Sequence, residues 1–148
     1  MAAIPFRCAA VVLALMAMIA PSSADVFDVV RDWNLLGTWA TDCSKLPAPD
    51  NPYATYVQRE SAVFLDRDVG SNRDSLAIVD ASARHDGTIA IVIAFERPRQ
   101  HRTNVLAKGA DGRIRAMSNH DSKGKFSVRN GVVLNLKRPT PWQERCAP

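Results

Sequence analysis

Two kinds of hydrophobic periodicity divide the chain. From Asp25 to Leu36, Val26, Val29, Val30 and Trp33 recur at spacings of three and four with polar residues between them, which predicts a short helix ended by Gly37. On that stripe Trp33 reads as a core residue. Beyond Gly37 the period is two. Gly37–Cys43 reads as a first strand, and Tyr53–Leu65 as one long bent strand with a bulge at Arg59-Glu60-Ser61, or as two shorter strands. Between them lie Pro47, Pro49 and Pro52, which remove donors and fix φ, so Ser44–Pro52 is a loop.

The rest is a run of hairpins. Ser75–His85 and Thr88–Glu96 flank Asp86-Gly87, Thr103–Ala110 and Arg113–Asn119 flank Asp111-Gly112, and Phe126–Arg129 and Val132–Lys137 flank Asn130-Gly131. Asx-Gly pairs between β-rich runs are hairpin signals because a type I′ turn needs two positive φ values. No comparable helical stripe follows residue 36, which argues against βαβ units. The expected fold is all-β: an antiparallel up-and-down meander closing into a roughly eight-stranded barrel behind a short N-terminal helix. A β-sandwich is the alternative. Thr88–Glu96 has two apolar faces, large at Ile89, Ile91, Ile93 and Phe95, small at Ala90, Val92 and Ala94; it is either core or the wall of a cavity.

The first 24 residues alter the count. Arg7 is their one charge, Cys8–Ala20 is an unbroken apolar run, and Pro21-Ser22-Ser23-Ala24 supplies small residues at a processing site. This reads as a signal peptide cleaved near Ala24, too short in its apolar part for a membrane span, leaving a single domain over residues 25–148 in the periplasm or outside the cell. No transmembrane segment is expected in the mature chain. The whole chain of 148 residues carries a net +4, which falls by one with Arg7. No basic run is interleaved with aromatics, so nucleic acid is not an expected partner.

Cleavage also removes Cys8, leaving Cys43 and Cys146 as one pair, which an oxidising compartment would bridge. Trp39 precedes Cys43 by four residues and Trp142 precedes Cys146 by four, so each tryptophan shares a face with its cysteine if the segments are extended. Strict alternation of strand direction, reversed at Pro139 and Pro141, runs the tail parallel to the first strand. That predicts a clasp of Gly37, Trp39, Asp42, Trp142 and Arg145, with the tryptophans level and Asp42 facing Arg145.

Catalytic chemistry has little support. His85, His101 and His120 share neither a strand nor a close spacing, so no metal site is expected, and no cofactor. No serine lies in a Gly-x-Ser-x-Gly elbow. Glu96–Arg102 concentrates Arg97, Arg99, Arg102 and His101 in one connection, which suits an anionic group or is a solvated loop.

Gly37-Thr38-Trp39, behind a short helix and ahead of a meander, resembles the Gly-x-Trp opening of lipocalins and the wider calycin superfamily. The resemblance implies a barrel that binds small apolar ligands, with Trp39 packed at the closed end against a late basic residue, Arg138 or Arg145. More broadly, Trp-Ala-Thr-Asp-Cys-Ser, Asn-Pro-Tyr and the terminal Pro-Trp-x-x-Arg-Cys resemble short exported bacterial proteins of unknown function. The expected function is non-catalytic binding of a small hydrophobic or amphipathic molecule, by Ile91, Ile93, Leu106 and Ile114, with Arg99 and Arg102 near a mouth. The alternative is a periplasmic protein-binding module or hydrolase inhibitor, using the arginine-rich or proline-rich connection.

Overall fold

The computed structural model describes residues 25–147, so the expected signal segment and Cys8 lie outside the described residues. Helix α1, Val26–Asp32, is capped by Asp25, whose carboxylate accepts the Phe27 amide at 3.1 Å. The strands are β1 Gly37–Ala40, β2 Tyr53–Arg59, β3 Ala62–Asp68, β4 Arg73–Ala83, β5 Ile89–Glu96 and β6 Arg99–Lys108. They continue as β7 Ile114–Asp121, β8 Phe126–Arg129, β9 Val132–Val133, β10 Arg138–Pro139 and β11 Glu144–Arg145. All eleven form one antiparallel sheet in the order β10-β9-β8-β7-β6-β5-β4-β3-β2-β1-β11. It curls through 275° into a half-barrel. The expected all-β meander is present as one sheet rather than a sandwich.

Alternation sets the inner row. Trp39, Tyr56, Val63, Leu65, Leu76, Ile78, Ile89, Ile91, Ile93, Leu106 and Ile114 form one buried cluster with Val30 and Leu35. The helix therefore belongs to the same core as the large residues of β5. It sits at the end where β1, β3, β5 and β7 begin: Trp33 Nε1 donates to the Gly87 carbonyl at 2.9 Å, and Lys108 Nζ donates to the Trp33 carbonyl while lying 4.2 Å from its ring. That end is closed.

Several local expectations change. Tyr53–Leu65 is two strands, because Glu60 takes φ 52° and reverses the chain. The Asp-Gly turns are not type I′: only Gly87 and Gly112 have positive φ, and Arg84 and Gly109 each pair across the turn, with Thr88 and Arg113. This is a type I turn followed by a left-handed glycine, in which the aspartate caps the residue after the glycine, as Asp86 does for Thr88. Asn130-Gly131 alone has φ 51° and 72°, the type I′ pattern. The returning strand after it is short: Leu134–Lys137 are turn residues, so the count exceeds eight. The expected connection Glu96–Arg102 is reduced to Arg97-Pro98, because Arg99 and Arg102 belong to β6 and pair with Glu96 and Ile93.

The tail also differs. Strand β11 is antiparallel to β1, with Trp39 opposite Arg145 and Ala40 opposite Glu144. Parity fails because Tyr53–Leu65 contributes two strands, β2 and β3, while the later reversal falls at Leu134–Lys137 instead of at the prolines, so that β10 runs on in one direction through Gln143 into β11. The chain also leaves the sheet after Ala40, so the even spacing from Trp39 to Cys43 does not keep them on one face. Trp142 is not level with Trp39; it packs where a Cβ on Gly109 would lie 3.3 Å from its ring, with Arg115 5.1 Å from its centroid. Asp42 and Arg145 do not pair. Asp42 takes the Ser44 hydroxyl at 2.6 Å and Lys45 at 3.0 Å. The Ser44 hydroxyl and then Lys45 hold its pKa down at about 2.

The disulfide Cys43–Cys146 is formed, with a Cα separation of 5.3 Å. Around it the proline-rich loop is held by Asn51, only 6% exposed, which accepts the Asp42 amide and donates to the carbonyls of Asp42, Lys45 and Leu46. The hydroxyl of Tyr53 donates to the Cys43 and Lys45 carbonyls.

Two stability outcomes follow from this loop and bridge. The double variant Cys43→Ser/Cys146→Ser should lose about 2–5 kcal/mol in urea unfolding; an unchanged midpoint would show that the bridge adds nothing. Asn51→Ala removes the side-chain hydrogen bonds to four backbone groups and should cost about 2 kcal/mol in the same measurement, with the loss concentrated, by amide exchange, in residues 42–51.

Candidate functional site

The core is packed at the helix end, where a cleft of about 480 Å³ lies outside it between Asn34, Lys108, Arg113 and Arg145, and an interior cavity opens at the other end. A cavity of about 430 Å³ opens where β2, β4 and β6 begin. Its apolar wall is made by Ala54, Tyr56, Leu65, Ile93, Leu106 and Ala116. Around the mouth stand Arg67 with Asp74, Phe95, Asn104 and Asn119, while Gln143 lines the cavity from beside Ile114. The inner rows explain the gradient: Ile89 and Ile91 face Leu106 and Asn104 across β5 and β6, and Ile93 faces Arg102, so β6 turns from apolar to polar towards the mouth.

The charges at the mouth are paired. Arg67 Nε donates to Asp74 Oδ1 at 2.8 Å and its second nitrogen binds Asp74 Oδ2, while its guanidinium lies 5.4 Å from the Phe95 ring centre. The Arg67 hydrogen bonds hold the Asp74 carboxyl below its usual range. Arg102 follows Asn104 on the inner row of β6, donating from Nε to Asn119 Oδ1 at 2.7 Å and from a terminal nitrogen to Ser127 Oγ at 2.9 Å. Tyr56 is 4% exposed, and burial alone pushes its phenol well above the ordinary tyrosine range.

Of the residues expected to bind a ligand, Ile93 and Leu106 line the cavity. Ile91 and Ile114 are fully buried in the core below it, Arg102 braces Asn119, and Arg99 is exposed at the start of β6. Asn104, Asn119, Tyr56 and the Arg67/Asp74 pair escaped notice in the sequence. Their signal is an interruption: polar residues on inner rows whose neighbours are apolar.

At the closed end, Arg145 lies 4.8 Å from the centre of the Trp39 ring and donates to the Asn34 carbonyl, while Trp39 Nε1 donates to the Leu35 carbonyl at 2.8 Å. Arg145 thus takes the place the resemblance offered to Arg138 or Arg145; Arg138 is exposed on β10. Among the described residues there is no group of three or more histidine, cysteine, aspartate and glutamate side chains able to hold a metal ion, and no helix long and apolar enough to cross a membrane.

The fold and cavity define an all-β half-barrel with an internal, partly polar pocket. No family model matches the chain, and neither a curated protein nor a solved structure is significantly similar to it.

The phenol of Tyr56 supplies a pH test. Unfolded chain ionises it near pH 10, whereas the folded state keeps the proton, so the stability this group contributes is complete below about pH 10 and is lost as pH rises further. Urea midpoints measured between about pH 9 and pH 11 should fall for the wild type and fall less for Tyr56→Phe; equal slopes would mean that Tyr56 is not sealed from solvent.

Proposed function

We propose that the protein is an exported, non-catalytic binding protein for a small hydrophobic or amphipathic molecule held in the cavity between β2, β3, β5, β6 and β7. The observation that carries this reading is the cavity itself: about 430 Å³, walled by Tyr56, Leu65, Ile93 and Leu106 and rimmed by a few polar side chains. Small-molecule sites typically fall at about 300–1,000 Å³ with this division of apolar wall and sparse polar groups. Binding without chemistry fits the lining. Its one ionised pair, Arg67 and Asp74, is mutually engaged, and Tyr56 keeps its proton at neutral pH. Export is supported by the expected signal segment together with the closed Cys43–Cys146 pair, since such bonds persist in oxidising compartments.

Titration of protein made in an oxidising compartment with 2-ethylnaphthalene, a compact neutral probe, tests this. Wild type should bind it, and Ala116→Phe, which fills the cavity, should bind at least about tenfold more weakly with its melting temperature little changed. A wild type that takes up no probe, and carries no small molecule in native mass spectrometry, would overturn the reading.

One observation favours a second reading, a protein-binding module such as a hydrolase inhibitor. Leu46 is 86% exposed on a loop fixed by Asn51, Tyr53 and the disulfide, the arrangement of a rigid apolar anchor. Inhibition of a secreted peptidase or muramidase by wild type but not by Leu46→Asp would support it, and absence of inhibition across such enzymes at micromolar protein would remove it.

A further inference from the structure

Asn104 and Asn119 stand directly opposite one another on β6 and β7, and both line the cavity. Opposed side chains in an antiparallel pair start from Cβ atoms about 4.5–5.5 Å apart, so the two carboxamides are neighbours. In each the oxygen is withheld from a ligand, occupied in Asn119 and sealed in Asn104. Asn119 Oδ1 accepts Arg102 Nε at 2.7 Å and Ser127 Oγ at 2.9 Å. A guanidinium nitrogen can only donate, which fixes the oxygen on that side and leaves Nδ2 as the other end of the amide. Asn104 Oδ1 is sealed from solvent with no hydrogen-bond partner. The end of Asn104 that lines the cavity is therefore also Nδ2.

We infer that Asn104 and Asn119 form a paired amide-donor subsite that selects ligands carrying an acyl oxygen, ketone or carboxylate, on an otherwise apolar body. The inference rests on the binding function proposed above and specifies what that site recognises. Two features point to recognition rather than packing. An unpartnered sealed oxygen is a cost that leucine would avoid at the same position, and such costs are tolerated where the polar group serves a ligand. The donors also sit at one end of the cavity, next to the apolar side chains of Leu106 and Ala116, so an acyl head and a hydrocarbon body find matching surfaces together. The cation behind the pair, Arg102, draws electron density from Asn119 through its Oδ1 and strengthens the Nδ2 donor.

The experiment compares three probes of nearly equal shape: 2-acetylnaphthalene, 2-naphthoate and 2-ethylnaphthalene, titrated by calorimetry into wild type, Asn104→Leu and Asn119→Asp. Asn104→Leu removes the sealed oxygen along with the donor. Asn119→Asp keeps acceptors for Arg102 and Ser127 and turns the cavity-facing donor into an acceptor, so both variants are expected to fold. Wild type should prefer at least one of the two acyl probes over 2-ethylnaphthalene by about tenfold, and which one it prefers identifies a ketone-like or an ionised head. Asn104→Leu should bring that preference within about twofold, and Asn119→Asp should abolish or reverse it. Binding of 2-ethylnaphthalene by wild type with no preference for either acyl probe would overturn the donor pair and leave the cavity reading standing. A preference that survives in both variants would overturn it too. Binding of none of the three would overturn both.

Discussion

The half-barrel depends on what residues 140–146 do with the gap between β1 and β7. A curled sheet that stops short of closure leaves two edges, and edges are sites of unwanted pairing. Here Thr140 docks first, its buried hydroxyl donating to the Ala116 carbonyl at 2.7 Å and its amide to the Gly131 carbonyl at 2.8 Å. Gln143 then exchanges two hydrogen bonds with Ile114, at 2.9 and 2.8 Å, and the next two residues pair with β1. Cys146 donates its amide to the Thr38 carbonyl at 2.8 Å and bonds to Cys43. One extended segment thereby bridges the start of β7 and β1 at once, and the disulfide tethers it there.

Closure by a strap rather than by a full strand has a consequence for the interior. At the strap end Arg145 covers Trp39, and Val30 of α1 and Leu35 just after it lie in the same core, so the core is continuous there. Towards the other end the strap is absent and the inner rows change character: Leu65 gives way to Arg67, Leu76 to Asp74, and Leu106 to Asn104 and Arg102. Polar side chains of this length reach across to one another, as Arg67 does to Asp74, instead of interdigitating. The cavity is the space between the apolar plug and that polar rim.

Period and turn chemistry carried most of the architecture. The helical stripe, the two-residue period and the Asn-Gly turn survive in the structure because each is enforced locally, by capping, alternation and positive φ. The cysteine pair was legible because the expected cleavage would leave one possible partner for each. What failed required counting: the tail's direction depends on whether Tyr53–Leu65 is one bent strand or two, and its sequence pattern fits both. The cavity was half legible. Ile93 and Leu106 were expected on its wall, whereas Ile91 and Ile114, identical in hydrophobic pattern, lie one layer deeper in the core. Alternation assigns a face, not a depth along the barrel axis.

Depth, however, leaves its own trace once the register is known. On the inner rows the first polar residue marks where packing ends: Arg67 on β3, Asp74 on β4, Asn104 on β6 and Asn119 on β7. Three of these four are satisfied by a partner. Asp74 neutralises Arg67, and Arg102 with Ser127 saturates Asn119 Oδ1, whereas the Asn104 oxygen has none. A rim needed for solubility alone would place its unpaired groups in water, where they cost nothing. An amide held against the apolar wall, with one end sealed, is therefore the feature of this half-barrel that packing and solubility do not explain, and it is what favours the proposed ligand site over an imperfectly filled core.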